Sequence, residues 1–504
     1  MNKDIADASR TDRLYDAFFE ESILPYCDRE LARSFLSDVA ECSPFAQGSL
    51  IEQNFLPALN DLTPQAVQNE IVTQVATAAL DNGLWEPFKR HDKRVVKSFL
   101  KDFSEAVNRD GNGRRTVLFV ATSPYFVILK EAMYLKRNGH RVFLISISPI
   151  ADNLLAMFEV HFDGLAHTEN SFRLMRAALQ NLNPDIVHVQ CWMWMYILGR
   201  LAIETCPDKA VVCEFYDATS LFADRLDMAA KWDPLLIDLD HDMERFIMHH
   251  ADAIVSRYAP DIGEAWAKSH DAKPKYLELQ PYPCPEFIHY SKDRPSQKDG
   301  VIRLVHAGSF VPPDDDHPST LFPEVSMPDV FSNLLKQGFA LDVFMPPQID
   351  PEKLGPQFDS YRDLANNFDT FRFLPGVSPD NFAEAISSYD YGILLFDYDP
   401  DIARLGAMWM RGCMPTRFFS YLEAGLPGIV IAEYQDMTSF LEDNGVGLGV
   451  PSKDISRLAE ILSGYDRDRA VENIRRYNQA HGMDKEISRL IKTYDKIAPR
   501  PERR

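Results

Sequence analysis

The run Cys413-Met414-Pro415-Thr416-Arg417-Phe418-Phe419-Ser420-Tyr421-Leu422-Glu423-Ala424-Gly425-Leu426-Pro427 gathers the residues best able to hold a phosphate. Proline is favoured in the first turn of a helix, where its missing N–H would be unsatisfied in any case. Gly425 suits a helix stop, with Pro427 just beyond it. The spacing predicts a helix of about nine residues whose N-terminus, near Pro415 to Arg417, offers open N–H groups and a positive dipole end to an anion. Thr416 sits in that turn, and Arg417 adds a guanidinium fork matched to phosphate oxygens. The plainer reading of Arg417 is an exposed side chain in an ordinary first turn. Glu423 follows Ser420 by one turn and shares its face, so it is either a ligand contact or a surface carboxylate.

A second turn compatible with phosphate is Gly308-Ser309, where the strand-like IRLVHA ends. Glycine lets backbone approach a ligand closely, although a plain strand-ending glycine reads the same way. Arg404 and Arg411, in DPDIARLGAMWMRG, can add positive charge to this region or remain surface arginines. Tyr125 in VATSPYF and Asp217 in VVCEFYD fall at strand ends, where open α/β sheets bind ligands. Asp397, Asp399 and Asp401, like Asp314, Asp315 and Asp316, have spacings seen at divalent cations. Turn-forming aspartates beside proline explain both runs, so no metal is expected. No phosphate-cradling P-loop, His-Glu-x-x-His or nucleophile elbow is present.

These residues need elements to position them. Residues 1–107 read as a helical N-terminal domain, with apolar residues three and four apart in TDRLYDAFFEESILPY, PQAVQNEIVTQVATAAL and DKRVVKSFLKDFSEAV. NRDGNGRR, 108–115, is a linker by its glycines and asparagines. From there TVLFVAT, RVFLISIS, DIVHVQ, AVVCEFYD and ADAIVSR form a series of short apolar strands separated by helical sequence. The Pro-rich stretch near 281–300 interrupts, and a second series follows: IRLVHAGSF, ALDVFM, FRFLPG, YGILLF and GIVIAE. Continuous apolar strands alternating with helices indicate parallel sheets covered on both faces. Two series mean two domains, 116–285 and 300–480, because one sheet rarely reaches ten strands undivided. A last amphipathic helix and tail occupy 481–504.

The formal charge of −22 over 504 residues argues against a nucleic-acid partner, since lysine and arginine supply most of that affinity. Seven scattered cysteines (Cys27, Cys42, Cys191, Cys206, Cys213, Cys284 and Cys413) without close Cys-x-x-Cys pairs fit a reducing compartment. The N-terminus has no apolar signal region and no run approaches a membrane span, so a cytoplasmic protein is expected.

Over roughly residues 116–496 these segments resemble the GT-B glycosyltransferases, bacterial enzymes that transfer sugars from nucleotide diphosphate donors with retention. TVLFVATSPYF…LKRNGHRVFLIS is similar to the opening of the family's acceptor domain, and NPDIVHVQ to its Pro-Asp-Val-Val-His strand. IRLVHAGSF resembles the first donor-domain strand, and PTRFFSYLEAGLPGIVIA the Pro-x-Lys…Glu-Tyr-Leu-x-x-Gly-x-Pro-Val segment. The resemblance implies two Rossmann-like doubly wound α/β domains, here with an all-α N-terminal addition, and a donor in the interdomain cleft. It implies catalytic roles for Arg417, which replaces the diphosphate-binding lysine, and for Gln190, which stands where a His-x-His strand has its second histidine while His188 turns to the core; Asp217, at its strand end, is assigned with them. It places the donor among Gly308, Ser309, Thr416, Ser420 and Glu423; Arg404 is a candidate substitute for the Arg and Lys that the family has after the Gly308 turn and that SFVPPDDDHP lacks, and Tyr125, at its strand end, is assigned to the acceptor side. The partners implied are a nucleotide-sugar donor and a carbohydrate, protein or other hydroxyl acceptor, with no cofactor; the N-terminal helices offer a route to self-association. The chain departs from the pattern where the Glu-x7-Glu pair should stand, with Gly412 and Ser420 instead. That departure supports the alternative of a catalytically inactive binding or scaffold protein.

Overall fold

In a computed structural model of the chain, the residues described are 96–97, 100–124, 126–168, 172–232, 234–308, 311–312, 318–347 and 354–498. Most of the expected N-terminal helices, Tyr125, Ser309, Asp314 to Asp316, Cys27 and Cys42 lie outside the described residues. Helix α1 (Lys101–Asn108) ends the expected N-terminal stretch, yet it packs onto the first lobe. Phe103 meets Phe143 edge-on at 5.9 Å, and Arg141 donates to the carbonyl oxygens of Ala106 and Arg109.

Among the described residues the chain forms two sheets, every strand pair parallel. The first holds β1 (Thr116–Ala121), β2 (Arg141–Ser146), β3 (Gly164–His167), β4 (Ile186–Cys191), β5 (Ala210–Phe215), β6 (Ala253–Ser256) and β7 (Tyr276–Glu278). Their order is β3-β2-β1-β4-β5-β6-β7. The second holds β8 (Arg303–Ala307), β9 (Ala340–Phe344), β10 (Phe371–Leu374), β11 (Tyr391–Leu394), β12 (Gly428–Ile431) and β13 (Gly447–Val450), in the order β10-β9-β8-β11-β12-β13. In each sheet the order reverses beside the first strand, which opens a crevice at the strands' carboxyl ends. These are two doubly wound α/β lobes, the arrangement that the GT-B resemblance implied.

The central strands are buried along their whole length, as a sheet covered by helices on both faces requires. Three strands absent from the sequence reading, β3, β7 and β13, are three or four residues long and sit at sheet edges. Residues in them are partly exposed, so they carry no continuous apolar run.

Four further helices position the site: α2 (Phe126–Arg137), α3 (Asp152–His161), α4 (Arg417–Glu423) and α5 (Met483–Ile497). The last returns to the first lobe, where Arg489 donates to the Glu278 carbonyl oxygen at 2.6 Å and Asp495 pairs with Arg115 at 2.9 Å. The lobes also meet through Arg411 and Asp261 at 2.6 Å and through the Gly406 N–H, which donates to the Phe222 carbonyl at 2.7 Å. No helix among the described residues is long and apolar enough to cross a membrane.

Candidate active site between the lobes

Helix α4 is seven residues long, shorter than its sequence promised, because its first turn is tight: Phe418 N–H bonds Pro415 and Phe419 N–H bonds Thr416. Its C-terminal end is closed as expected. Gly425 takes φ +72°, its N–H reaches the Leu422 carbonyl, and the Leu426 N–H reaches Tyr421. The ring of Tyr421 lies on Gly392 of β11, where any Cβ would meet it at 2.3 Å, and its hydroxyl accepts from the Ala307 N–H at 3.0 Å. These contacts fix α4 beside the carboxyl end of β8.

A cavity of about 580 Å³ opens there, between the two lobes. The second lobe lines it with Gly308, Thr416, Arg417 and Ser420, and with the apolar Met345, Pro346, Val377 and Phe382. The first lobe contributes Phe126, Pro149, Ile150, Asp152, Leu154 and Met157. Asn153 at the start of α3 donates to the Pro347 carbonyl at 2.7 Å, joining the lobes at the rim. So small polar groups and one guanidinium from the second lobe share the cavity with mostly apolar walls, to which the first lobe adds the Asp152 carboxylate and Ser123. That composition suits a ligand with an anionic part and a flat or aliphatic part.

Arg417 is held by His306, whose Nε2 lies 2.9 Å from a guanidinium nitrogen. Arginine only donates, so Nε2 accepts and the imidazole is neutral. The ring is fully buried, and it therefore orients the guanidinium without adding charge. Glu324, in the short 3-10 helix Pro323–Ser326, feels Arg417 from another side. Desolvation raises its carboxyl above the usual range and Arg417 draws it back. Gly308 has φ +94°, a region that disfavours a side chain, and an added Cβ would sit 3.7 Å from the Arg417 guanidinium. The glycine thus keeps a turn of backbone alongside the charge.

Of the residues picked from sequence, Gly308, Thr416, Arg417 and Ser420 come together on this cavity. Tyr125 and Ser309 lie outside the described residues, although Pro124 and Phe126 line the wall. Gln190 does not line it. Its side chain is buried and donates to the Tyr216 hydroxyl at 2.7 Å. Asp217 instead meets Trp409 of the second lobe, whose indole nitrogen is 3.4 Å away. Desolvation raises its carboxyl, and Arg257 lowers it in part. Arg404 is exposed and bonds its own neighbourhood, the Asp401 carbonyl at 3.1 Å. Glu423 is neither ligand contact nor surface group: it is 2% exposed and pairs with Lys130 of α2 at 2.8 Å. Asp399 accepts from the Asp401 N–H at 2.9 Å, the turn geometry expected of that acidic run.

Gly412, where the resemblance led one to expect a Glu, is closely packed by the first lobe. A Cβ at Gly412 would lie 2.6 Å from Ile262 and 2.9 Å from Tyr258, side chains of the first lobe. His306, Glu324 and Lys130 escaped the sequence reading. A histidine two residues before the strand-ending glycine was the one local signal for His306.

No model of a protein family matches the sequence, and no curated protein does. Among solved structures the chain is similar to a mutant O-GlcNAc transferase of Thermobaculum terrenum, at 13% identity and a TM-score of 0.48 over 90% of this chain and 82% of that one. It is similar to Anabaena HepE in complex with UDP at 10% identity and a TM-score of 0.48, over 76% of this chain and all of that one (100%). A UDP-N-acetylglucosamine 2-epimerase gives 12% identity and a TM-score of 0.46, over 78% and 98%. Likeness at this level concerns the course of the chain alone, and the two doubly wound lobes rest on their own strand order.

Proposed function

We propose that the chain is a glycosyltransferase that binds a nucleotide-activated sugar in the interlobe cavity and passes the sugar to an acceptor hydroxyl. One observation carries this reading: Gly308, Thr416, Arg417 and Ser420 converge from two separate segments on one interlobe cavity whose remaining lining, Asp152 and Ser123 apart, is largely apolar. The donor phosphates lie against Gly308 and Arg417, and the base and sugar take the apolar walls. As the sugar–phosphate bond breaks, negative charge grows on the departing phosphate. A guanidinium already fixed by His306 stabilises that charge without having to reorganise. The two lobes supply the remaining catalysis by holding donor and acceptor at reacting distance.

The test begins with thermal unfolding of the full chain in the presence of a panel of nucleoside mono- and diphosphates. A ligand at a hundred times its Kd stabilises the native state by about 2.7 kcal/mol. Nucleoside diphosphate release from nucleotide sugars is then measured for the wild type and Arg417→Ala. The reading expects stabilisation by one nucleotide class and turnover that falls about 10²–10³-fold in the variant. Stabilisation with no turnover of any nucleotide sugar would instead identify a binding protein that has lost catalysis. Indifference to every nucleotide would refute both.

A further inference from the structure

Behind the first sheet's switch point, and away from the cavity, lies a second concentration of polar groups. Glu131 of α2, His188 of β4 and Glu214 of β5 are buried at 1%, 0% and 2% exposure, and one ligand atom from each falls within 4.8 Å of the others. Phe119 stacks on the His188 ring at 4.9 Å, and Tyr494 of α5 closes the cluster from outside. The hydrogen bonds here are incomplete. Tyr494 Oη lies 2.6 Å from His188 Nδ1, but His188 Nε2 and Glu131 Oε2 have no hydrogen-bond partner. Buried polar atoms of native proteins are rarely left so.

The distances say what would satisfy them. His188 Nε2 and Glu214 Oε2 are 3.5 Å apart, too long for the usual N–H···O contact near 2.9 Å. Two donors on a tetrahedral zinc with bonds of about 2.0–2.1 Å stand about 3.4 Å apart. Arg257 is the cation that acts on both carboxylates; one guanidinium nitrogen donates to the Tyr216 carbonyl at 3.2 Å and the other terminal nitrogen has no hydrogen-bond partner, while Lys130 pairs with Glu423. Tyr494 takes Nδ1 at 2.6 Å and so fixes the ring as an outer partner does at known sites; Glu131 Oε2 lies 4.0 Å from that same nitrogen. Tyr216 extends the shell, its hydroxyl 3.4 Å from Glu214 and in contact with Gln190.

We propose that Glu131, His188 and Glu214 bind one divalent transition-metal ion, with zinc the best match to two carboxylates and an imidazole. Through Tyr494 the ion fastens the C-terminal helix to the first lobe. The site is independent of the transferase reading. Zinc content of the purified full chain is measured first, and the chelator-treated protein is then titrated with cobalt(II), whose visible absorption reports tetrahedral coordination. About one metal per chain is expected, with binding lost in Glu131→Gln/Glu214→Gln and weakened about tenfold or more in Tyr494→Phe. Asp399→Asn, in an exposed acidic turn, leaves binding unchanged. The proposal is overturned if the wild type takes up neither zinc nor cobalt, or if the double glutamine variant binds as well as the wild type. Should that variant not fold, the wild-type cobalt spectrum and the Tyr494→Phe affinity decide the matter.

Discussion

At one end of α4, Arg417 is half-buried, bonded to a neutral imidazole, and set on a cavity. At the other, Glu423 is shut inside the interface, where it accepts from Lys130 at 2.8 Å and from the Cys284 N–H at 2.7 Å. Lys130 in turn reaches the Pro281 and Tyr282 carbonyl oxygens at 3.3 and 3.4 Å. The pair spans the two lobes. One end of the helix therefore sets a cation on the cavity, and the other buries a charge pair that holds the helix in place. The difference lies in the partner. A neutral histidine orients a cation without cancelling it, whereas a buried lysine and glutamate cancel each other.

The largest effect expected is on the anchored end. Lys130→Met keeps the side-chain volume and leaves Glu423 buried without its cation, which costs about 3–5 kcal/mol of stability. Denaturant unfolding measures it. The loss also depends on pH in a defined direction. Burial already raises the Glu423 carboxyl above its ordinary value, with Lys130 pulling it down, so the variant raises it further. A carboxyl raised in the native state binds its proton more tightly there than in the unfolded chain. Its stabilising contribution is full below the unfolded value near pH 4.3 and is lost as pH rises towards the native one. The deficit of Lys130→Met therefore shrinks as the pH falls towards about 4.5, and a deficit that grew on acidification would contradict the anchoring role. Replacing both partners by Lys130→Met/Glu423→Leu should recover most of the loss, since buried pairs are often exchanged for apolar contacts at little cost.

At the open end the order reverses. Arg417→Ala should cost less stability than Lys130→Met, about 1–3 kcal/mol for the buried His306 acceptor left unpaired, while nucleotide-sugar turnover falls about 10²–10³-fold. If the variant instead lost stability on the scale of Lys130→Met, both ends of α4 would be structural and the comparison would fail.

The fold was legible because parallel strands under two helical layers must be apolar along their length, as TVLFVA of β1 is. What escaped were edges such as GLAH and GLGV, where partial exposure removes that signal. In the site, Thr416, Arg417 and Gly308 were legible because local rules place them: a helix start, a helix stop and a strand-ending turn. Gln190, Asp217 and Glu423 were not. Their destinations are set by Tyr216, Trp409 and Lys130, which are 26, 192 and 293 residues away in the chain. No spacing rule reports a partner at that range. Gly412 shows the same limit, since a side chain there would crowd Tyr258 and Ile262 of the other lobe, 154 and 150 residues away in the chain.

A smaller effect is expected at Gly308. With φ +94° an alanine is strained by about 1–3 kcal/mol, yet its methyl would lie 3.7–3.8 Å from the guanidinium, an ordinary contact. Gly308→Ala should thus lower the unfolding free energy by that amount and move the nucleotide Kd only through the shifted turn. A large stability loss with unchanged affinity would place the glycine outside the ligand's reach.

The smallest effect, and the finest test of the open end, belongs to His306→Phe. The buried ring, 5.7 Å from Phe331, is replaced by one of similar shape that cannot accept a hydrogen bond. Arg417 keeps its charge and loses its orientation. A net hydrogen bond of about 1 kcal/mol corresponds to a nucleoside diphosphate Kd raised about fivefold, read by calorimetry. Because His306 acts through Arg417, the substitution should have no further effect once Arg417→Ala is present, giving a coupling energy equal to the single effect. Additive losses would show that His306 serves the ligand or the core directly, and that the guanidinium is positioned by something else.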